Sequence, residues 1–348
     1  MIKRITFELS EKCNAACPLC TRIDRYNNSN PTEGVRLKRE LLIDDFKHII
    51  TPEVLNNIDE INLCGNVGDP IAAKDCLKIV EYVSKFDVKI LLETNGSLRS
   101  EKWWSSLGSY MKPRGKPEKR HNNSVVYFHI DGLEDTNHLY RQKTNYDTIV
   151  RNAKAFMKAG GQAIWEFIPF AHNEHQIEEA QRRSEEMGFM YFQLRKSNRG
   201  WSKGVEKIRY VDPDGNERYL RPPSEQNMGK GVKRKELSPD QEISCKYING
   251  NNTFVNCDGT LWPCCWLAAD MYKMYQYSTR SAVETVLIEK TNPVPNLLNE
   301  RPGIILDIAL NNDFFNEIQS EWPNHGPMTC QNSCGKQTSG SDKIKVNA

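Results

Sequence analysis

The sequence contains no long hydrophobic run. Nowhere in its 348 residues does an uninterrupted apolar stretch reach the length of a membrane-spanning helix, which is roughly 18 residues or more. The opening residues, Met1-Ile2-Lys3-Arg4, lead straight into a short alternating segment and contain no apolar signal segment. We therefore expect a cytoplasmic protein without a membrane partner.

The sequence also lacks an excess of positive or negative charge. The 47 Lys and Arg residues nearly balance the 45 Asp and Glu residues, so the net charge is +2. A general nucleic-acid-binding protein carries a basic excess, and this composition does not predict one. Charged residues make up 26% and hydrophobic residues 38% of the chain, as in an ordinary globular protein. The length allows two domains, each with its own core.

The cysteine count is not even, because the chain has 11 cysteines. Disulfide bonds are rare in a reducing cytoplasm, and an odd number of cysteines cannot all pair. Metal binding therefore explains most of them better than disulfide bonding does. The densest group is Cys13, Cys17 and Cys20, directly after an apolar alternating segment at residues 5–9.

This group of three thiols has no fourth cysteine nearby, since the next one is Cys64. Structural zinc normally takes four protein ligands. A four-iron cluster held by three thiolates instead leaves one iron open to a ligand that is not protein. The spacing thus favours an iron–sulfur cluster with a chemical role. A zinc site completed by a distant ligand stays open as the alternative.

Short apolar runs alternate with longer helical patterns from residue 5 to about residue 194. The predicted strands are residues 5–9, 58–64, 88–93, 125–130, 163–168 and 190–194, and the predicted helices are 43–50, 75–86, 100–108, 146–159 and 174–187. This alternation predicts βα units and a parallel sheet. Six units suggest a partial (β/α)6 TIM-type barrel, with its chemistry on the loops that follow the strands.

Polar motifs follow the second, third and fourth predicted strands. They are Gly65-Asn66-Val67-Gly68-Asp69-Pro70, Glu93-Thr94-Asn95-Gly96 and His129-Ile130-Asp131-Gly132, with Arg141 a little further on. Glycines permit close backbone approach to a ligand, an acidic side chain can hold a hydroxyl, and an arginine can pair with a carboxylate. Each motif alone is an ordinary turn, but their succession at strand ends indicates a binding site.

The cluster of three cysteines and these strand-end motifs together resemble the radical S-adenosylmethionine (SAM) enzymes. The resemblance covers roughly residues 1–200, and its most specific part is the Cys-x3-Cys-x2-Cys loop behind the first strand. The family's second-strand motif usually ends in Gly-Glu-Pro, where this chain has Gly68-Asp69-Pro70. His129 stands where the family often has serine.

The resemblance implies that Cys13, Cys17 and Cys20 hold a [4Fe-4S] cluster whose open iron chelates SAM. It implies SAM contacts from residues of the strand-end motifs, namely Gly68, Asp69, Asn95, Asp131 and Arg141. Cys64, at the end of the second strand, is a candidate donor of a hydrogen atom to a substrate radical. Its alternative role is that of a small buried hydrophobic residue.

Six of the cysteines lie in the last third of the chain. An Asp258-Gly259 turn predicts a hairpin that brings Cys264 back past its first strand, and Cys330 and Cys334 form a close pair. The Cys-x13-Gly-x4-Cys spacing from Cys245 resembles the auxiliary-cluster extension of radical SAM enzymes, called SPASM or, when shortened, twitch.

That extension implies one auxiliary iron–sulfur cluster, expected to be [4Fe-4S], held by Cys245, Cys264, Cys330 and Cys334. Cys257 and Cys265 are competing ligands, and a four-cysteine zinc site is the alternative, because the ligand set alone does not separate the metals.

The expected domains are the barrel over residues 1–198, a basic insert or linker over 199–243 and a small auxiliary-cluster domain over 244–335. This last domain should consist of a β-hairpin and helices at 282–288 and 314–318, and we expect a disordered tail over 336–348. The insert contains a hairpin pattern at residues 210–219. It is either a solvated linker or a lid over the substrate.

The resemblance implies reductive cleavage of SAM to a 5'-deoxyadenosyl radical that abstracts a substrate hydrogen. We expect a peptide or protein substrate, with flavodoxin or ferredoxin as the external electron donor. The alternatives are radical oxidation or rearrangement of a small polar metabolite, such as an amino sugar, and a non-catalytic electron carrier with two clusters.

Overall fold

The computed structural model describes most of the chain. The described residues are 2–24, 30–31, 39–197, 201, 205–229, 243–269, 294–322, 329–330, 334 and 343–347. The helix predicted at 282–288 lies outside them. Within the described ranges, no helix has the length and apolar character needed to cross a membrane.

Six parallel strands form the centre of the structure. They are β1 Arg4–Phe7, β2 Glu60–Leu63, β3 Lys89–Thr94, β4 Val125–His129, β5 Ala163–Phe167 and β6 Tyr191–Arg195. Each strand pairs in parallel with the next one along the chain. This arrangement confirms the predicted partial (β/α)6 barrel, with every strand end within two residues of its prediction. Apolar runs between helical patterns therefore sufficed to find the strands.

The sheet extends beyond the six predicted strands. The strands that extend it are β9 Asn252–Val255, β10 Leu261–Trp262 and β11 Lys343–Asn347, whereas β7 Ile208–Val211 and β8 Glu217–Leu220 form a separate antiparallel pair. β9 pairs in parallel with β1, and β10 returns antiparallel to β9. β11 pairs antiparallel with β6, so these five residues form a strand, not part of a disordered tail. The result is a nine-stranded sheet in the order β10-β9-β1-β2-β3-β4-β5-β6-β11.

Helices lie between successive strands along the chain. They are α1 Ile43–Ile49, α2 Pro52–Asn57, α3 Cys76–Val83, α4 Glu101–Met111, α5 Asn137–Tyr140, α6 Tyr146–Lys158, α7 Ile177–Met187, α8 Lys246–Asn249, α9 Ile305–Ile308 and α10 Asp313–Ser320. Short 3-10 helices span Pro70–Ala72, Arg120–Asn123, Glu174–Gln176, Glu225–Asn227 and Leu297–Asn299, and a two-residue strand pair joins Ile23–Asp24 to Asn30–Pro31.

Polar caps explain where several helices begin. The side chains of Thr51, Ser100 and Asn145 accept N–H groups of the first turns of α2, α4 and α6, as capping residues do. Gly188, with φ of 86°, ends α7 in the left-handed conformation. The predicted helix at 174–187 starts with a 3-10 turn and becomes α-helical only at Ile177.

Aromatic side chains fill the layer between the sheet and helices α4 and α6. The ring of Trp104 lies 5.1 Å from that of Phe128 and 6.2 Å from that of Phe156. The two helices are in close contact at Gly108, where a Cβ atom would lie 2.3 Å from the backbone oxygen of Phe156. This glycine therefore sets the distance between the helices.

The hairpin of β7 and β8 covers the loop that carries Cys13, Cys17 and Cys20, which we call the thiol loop. Its residues Ile208, Tyr210 and Leu220 form a separate apolar cluster with Ala15, Cys17, Tyr140 and Phe170, and Cys13 and Cys20 lie against that cluster. The pattern at 210–219 thus correctly predicted a hairpin, and the structure adds its position over the cysteines.

We predict that Gly108→Ala destabilises the protein. The added methyl group favours helix formation by about 1 kcal/mol, but it must push α4 away from the Phe156 backbone, and overpacking of this kind costs about 1–3 kcal/mol. The clash is with backbone and cannot be relieved by rotating a side chain, so we expect a net loss of about 2 kcal/mol, which should lower the thermal midpoint by roughly 3 °C. Ser109→Ala, at an exposed position of the same helix, is the matched control and should leave the midpoint unchanged. An unchanged midpoint for Gly108→Ala would contradict the close packing.

Candidate functional site

Cys13, Cys17 and Cys20 lie together on the loop that follows β1. Cys17 is buried and the other two are half-buried. The N–H of Ala16 donates to the backbone oxygen of Gln142 at 3.0 Å and holds the loop in place. Within the loop, the N–H of Cys20 donates to the backbone oxygen of Cys17, also at 3.0 Å. Burial raises the pKa of Cys13, and nearby Asp69 and the other two thiols raise it further. Three thiolates at this spot therefore need a cationic partner such as a metal cluster.

The Arg141 guanidinium lies beside the thiol loop. Its Nη1 lies 3.9 Å from the Cys17 sulfur, and its Nε donates to Asp131 at 2.6 Å. The other Asp131 oxygen accepts the N–H of Ile168 at 2.6 Å, and Asp131 is fully buried. Burial raises the pKa of Cys17 to about 11 even though Arg141 opposes the rise. The structure thus brings both predicted residues together, with Asp131 fixing the position of Arg141.

Asp69 connects the loop after β2 to the loop after β3. Its buried carboxylate accepts hydrogen bonds from the Thr94 hydroxyl at 2.8 Å, the Asn95 N–H at 2.8 Å and the Asn95 side-chain amide at 2.7 Å. The same Asn95 amide lies 3.6 Å from the Cys13 sulfur. Two of the predicted binding residues, Asp69 and Asn95, are therefore linked to each other and to the thiol loop.

Glu8 is a site residue that the sequence analysis missed. Its buried carboxylate accepts the N–H groups of Asn66, Val67 and Gly68 at 3.1, 2.9 and 2.7 Å. A Cβ atom on Gly68 would lie 1.6 Å from the backbone oxygen of Ser10, so only glycine fits there. An acidic residue inside the apolar run Phe7-Glu8-Leu9 was the available signal.

A second missed feature is a row of charged side chains at the ends of β3 to β6. His129 Nδ1 lies 3.0 Å from Glu166 Oε1, and His129 Nε2 lies 3.6 Å from Glu93 Oε2. Arg195 Nε lies 3.2 Å from the same Glu166 oxygen. Burial opposes a charge on the imidazole, but Glu166 and Glu93 outweigh it and raise the pKa of His129 to about 9. We call Glu93, His129, Glu166 and Arg195 the charged row.

Cys64 directly follows β2 and is half-buried. Burial raises its pKa well above the ordinary range, and nearby Glu93 and Cys265 raise it further. Its thiol therefore faces the same interior as the charged row.

Four cysteines of the C-terminal region line one apolar cavity, together with Ile318 and Trp322. They are Cys245, Cys264, Cys330 and Cys334. This is the set of ligands that the sequence analysis predicted.

The two competing cysteines lie elsewhere. Cys265 has its sulfur 2.8 Å from the Tyr247 hydroxyl, and Cys257 is buried near Glu8 and Glu11. Across the described ranges, no three histidine, cysteine, aspartate or glutamate side chains converge in a way that could hold a metal ion. The thiols of both groups suit iron–sulfur clusters, and a four-cysteine zinc site stays open as the alternative for the C-terminal group.

No protein-family model matches the sequence. A curated protein from Selenomonas ruminantium, an S-adenosylmethionine-dependent nucleotide dehydratase, is 30% identical over 100 residues. The match spans 28% of this chain and 31% of that protein, so it reports on one shared region.

The similar solved structures include SuiB of Streptococcus suis. It superposes with a TM-score of 0.57 at 12% identity, over 92% of this chain and 68% of SuiB. SuiB bound to its precursor peptide SuiA gives a TM-score of 0.55 at 13% identity, over 92% and 67%. At such identities the likeness establishes the fold alone.

We predict that Glu8 makes stability depend on pH. Burial raises its pKa from 4.5 to about 7, so between these values the folded state binds more protons than the unfolded state. The free energy of unfolding should therefore fall as the pH rises through this window, by up to about 3 kcal/mol. Glu8→Gln removes this titration.

Urea unfolding at several pH values tests this prediction. The Glu8→Gln variant should gain stability relative to the wild type between pH 4.5 and 7, whereas the exposed Glu53→Gln control should follow the wild type. A constant difference between Glu8→Gln and the wild type across this window would show that Glu8 does not titrate there.

Proposed function

We propose that this chain, which has the fold of the radical SAM enzymes and a region similar to a SAM-dependent protein, cleaves SAM reductively and abstracts a hydrogen atom from a substrate. The observation that carries the proposal is the connection between the thiol loop and the strand-end motifs. Asn95 and Arg141, which follow the third and fourth strands, lie 3.6 and 3.9 Å from the sulfurs of Cys13 and Cys17 on the loop after the first strand.

Cys13, Cys17 and Cys20 are the residues that would hold the first cluster. When bound, such a cluster supplies one electron to SAM, which splits into methionine and a 5'-deoxyadenosyl radical. The chain itself holds the reactants in position. The 65–68 turn, fixed by Glu8, presents backbone groups to the SAM amine, and Arg141 presents a guanidinium to the SAM carboxylate.

The second set of cysteines, in the C-terminal region, would hold an auxiliary cluster. Cys245, Cys264, Cys330 and Cys334 supply four thiolates, so the cluster would have no open iron. Their cavity is walled by apolar side chains such as Ile248, Leu267 and Phe315, which keep water from the cluster sulfurs. Cys265, hydrogen-bonded to Tyr247, is left out of this site.

The substrate we propose is a peptide or protein. A structure of the similar protein SuiB contains a precursor peptide, which supports this choice. Dehydration of a nucleotide is the second candidate, because the curated relative carries that name. An external one-electron donor such as flavodoxin or ferredoxin completes the proposal.

We predict that the anaerobically reconstituted protein, given a strong reductant and SAM, produces 5'-deoxyadenosine. Cys17→Ala removes one of the three thiolates and should lower the product at least 100-fold, measured by liquid chromatography and mass spectrometry. Cys76→Ala also removes a buried cysteine, but from the core side of α3, and should retain production. If a protein with its clusters incorporated neither binds nor cleaves SAM, the non-catalytic electron carrier replaces the enzyme.

A further prediction concerns two adjacent cysteines. Cys264→Ala should lower the iron content of the reconstituted protein by about four irons per chain, because its thiol lines the auxiliary cavity. Cys265→Ala should leave the iron content unchanged. Equal losses in both variants would contradict the assignment of Cys264, and one zinc ion per chain in place of the iron would revive the zinc alternative.

A further inference from the structure

The charged row lies at the carboxyl ends of the barrel strands. Barrel interiors are packed with branched apolar side chains, whereas polar residues at these strand ends are typical of binding and catalytic sites. Here β3, β4, β5 and β6 each contribute one charged residue close to the carboxyl end of the strand. These residues are Glu93, His129, Glu166 and Arg195, and strand pairing sets His129 directly beside Glu166.

The two ends of the charged row are accessible, whereas its middle is closed. The side chains of Glu93 and Arg195 are 23% and 31% exposed, and those of His129 and Glu166 are 13% and 1% exposed. Glu166 also accepts a hydrogen bond from Gln193 at 3.0 Å. The middle of the row therefore holds its ends in place, and the ends are free to meet a ligand.

The hydrogen bonding of the row is incomplete. Among the described residues, His129 Nδ1, Glu166 Oε1 and Arg195 Nε are buried atoms that lie close together without an aligned hydrogen bond. Buried polar atoms are nearly always satisfied in folded proteins. Here the three atoms face one another as ion pairs, at 3.0 Å for His129 Nδ1 and 3.2 Å for Arg195 Nε, so the buried middle of the row is occupied by its own members and a ligand meets only the two exposed ends.

The row also lies next to the proposed SAM contacts. Glu93 directly precedes Thr94 and Asn95, which bind Asp69, and His129 precedes Asp131 by two residues. The Cys64 thiol interacts with the Glu93 carboxylate. A substrate group bound to the row would therefore lie close to the place where the radical forms.

The charges of the row indicate what kind of group it binds. Two carboxylates face an imidazole and a guanidinium, so an ionised row has no net charge. A nucleoside polyphosphate needs a surplus of Lys or Arg side chains, which this row does not offer. A peptide with one basic and one acidic side chain complements both ends.

We propose that the charged row is a substrate subsite for a peptide segment with side chains of opposite charge, with the basic side chain on Glu93 and the acidic side chain on Arg195. Arg195 offers its guanidinium edge to a carboxylate as a two-pronged donor. Glu166 and His129 are positioning residues, because they fix both ends without reaching the ligand. This proposal rests on the proposed function and names its substrate class.

Binding tests the proposal without requiring turnover. The reconstituted full-length protein is dialysed with SAM against random heptapeptides whose termini are acetylated and amidated, so that charge comes from side chains alone. A parallel dialysis uses the four ribonucleoside triphosphates. Mass spectrometry of the retained molecules should show at least tenfold enrichment of peptides with both a basic and an acidic residue, and no retained triphosphate.

Variants at each end separate the two contacts. Glu93→Gln should remove the enrichment of basic residues at least tenfold and keep that of acidic residues, and Arg195→Met should do the reverse. Glu93→Asp, which keeps the charge, should restore the basic preference. The matched control is Glu60→Gln, since Glu60 pairs with Lys89 at the start of the neighbouring strands, and it should retain both preferences. Thermal unfolding confirms that each variant is folded.

Two results would overturn the proposal. Retained triphosphates that disappear in Arg195→Met would make the row a nucleotide site. An identical peptide profile in the wild type, Glu93→Gln and Arg195→Met would make the row structural. Because dialysis needs no SAM cleavage, charge-selective peptide binding without 5'-deoxyadenosine would refute the proposed function alone, and SAM cleavage without that selectivity would refute the subsite alone.

Discussion

The site depends above all on the Asp69 carboxylate. This side chain is buried and accepts hydrogen bonds from the Ile71 N–H, the Thr94 hydroxyl and both nitrogens of Asn95. Without it, these donors would be buried and unsatisfied, at about 1–3 kcal/mol each. The loops after β2 and β3 would then lose their common anchor, and Asn95 would lose its position beside Cys13. An aspartate, whose side chain is one methylene shorter than the glutamate typical of the radical SAM motif, is thus sufficient to join the loops.

The same device recurs along the edge of the sheet. Glu8 after β1, Asp69 after β2 and Asp131 after β4 are each buried carboxylates that accept a backbone N–H group of a neighbouring loop. Burial of a carboxylate is unfavourable, which is why the pKa values of Glu8 and Asp69 are raised. The hydrogen bonds offset part of that cost and hold the loops in one conformation. A site on loops fixed in this way requires less rearrangement when a ligand binds.

The sequence was sufficient for features that depend on local pattern. The six barrel strands, the thiol loop and the strand-end motifs follow from apolar runs and turn residues, which act over a few positions. The position of β9 beside β1 and that of β11 beside β6 depend on pairing between residues more than 100 positions apart, which no local pattern encodes. Glu8 and Glu166 were missed because an acidic residue in a strand usually faces solvent. Only the assembled sheet and its loops show that these two are buried.

The hairpin of β7 and β8 resolves the meaning of the basic insert for the residues that the structure describes. Arg209 pairs with Glu217 and Arg218 with Asp212, so the outward side of the hairpin carries balanced charges and does not form a basic patch for nucleic acid. Its inward side packs Ile208, Tyr210 and Leu220 near the thiol loop. Apolar side chains at that place exclude water from the cysteines and strengthen every electrostatic interaction beneath them. The hairpin therefore helps to shield the candidate site from water, because it sets the dielectric environment of the three cysteine thiols and Arg141.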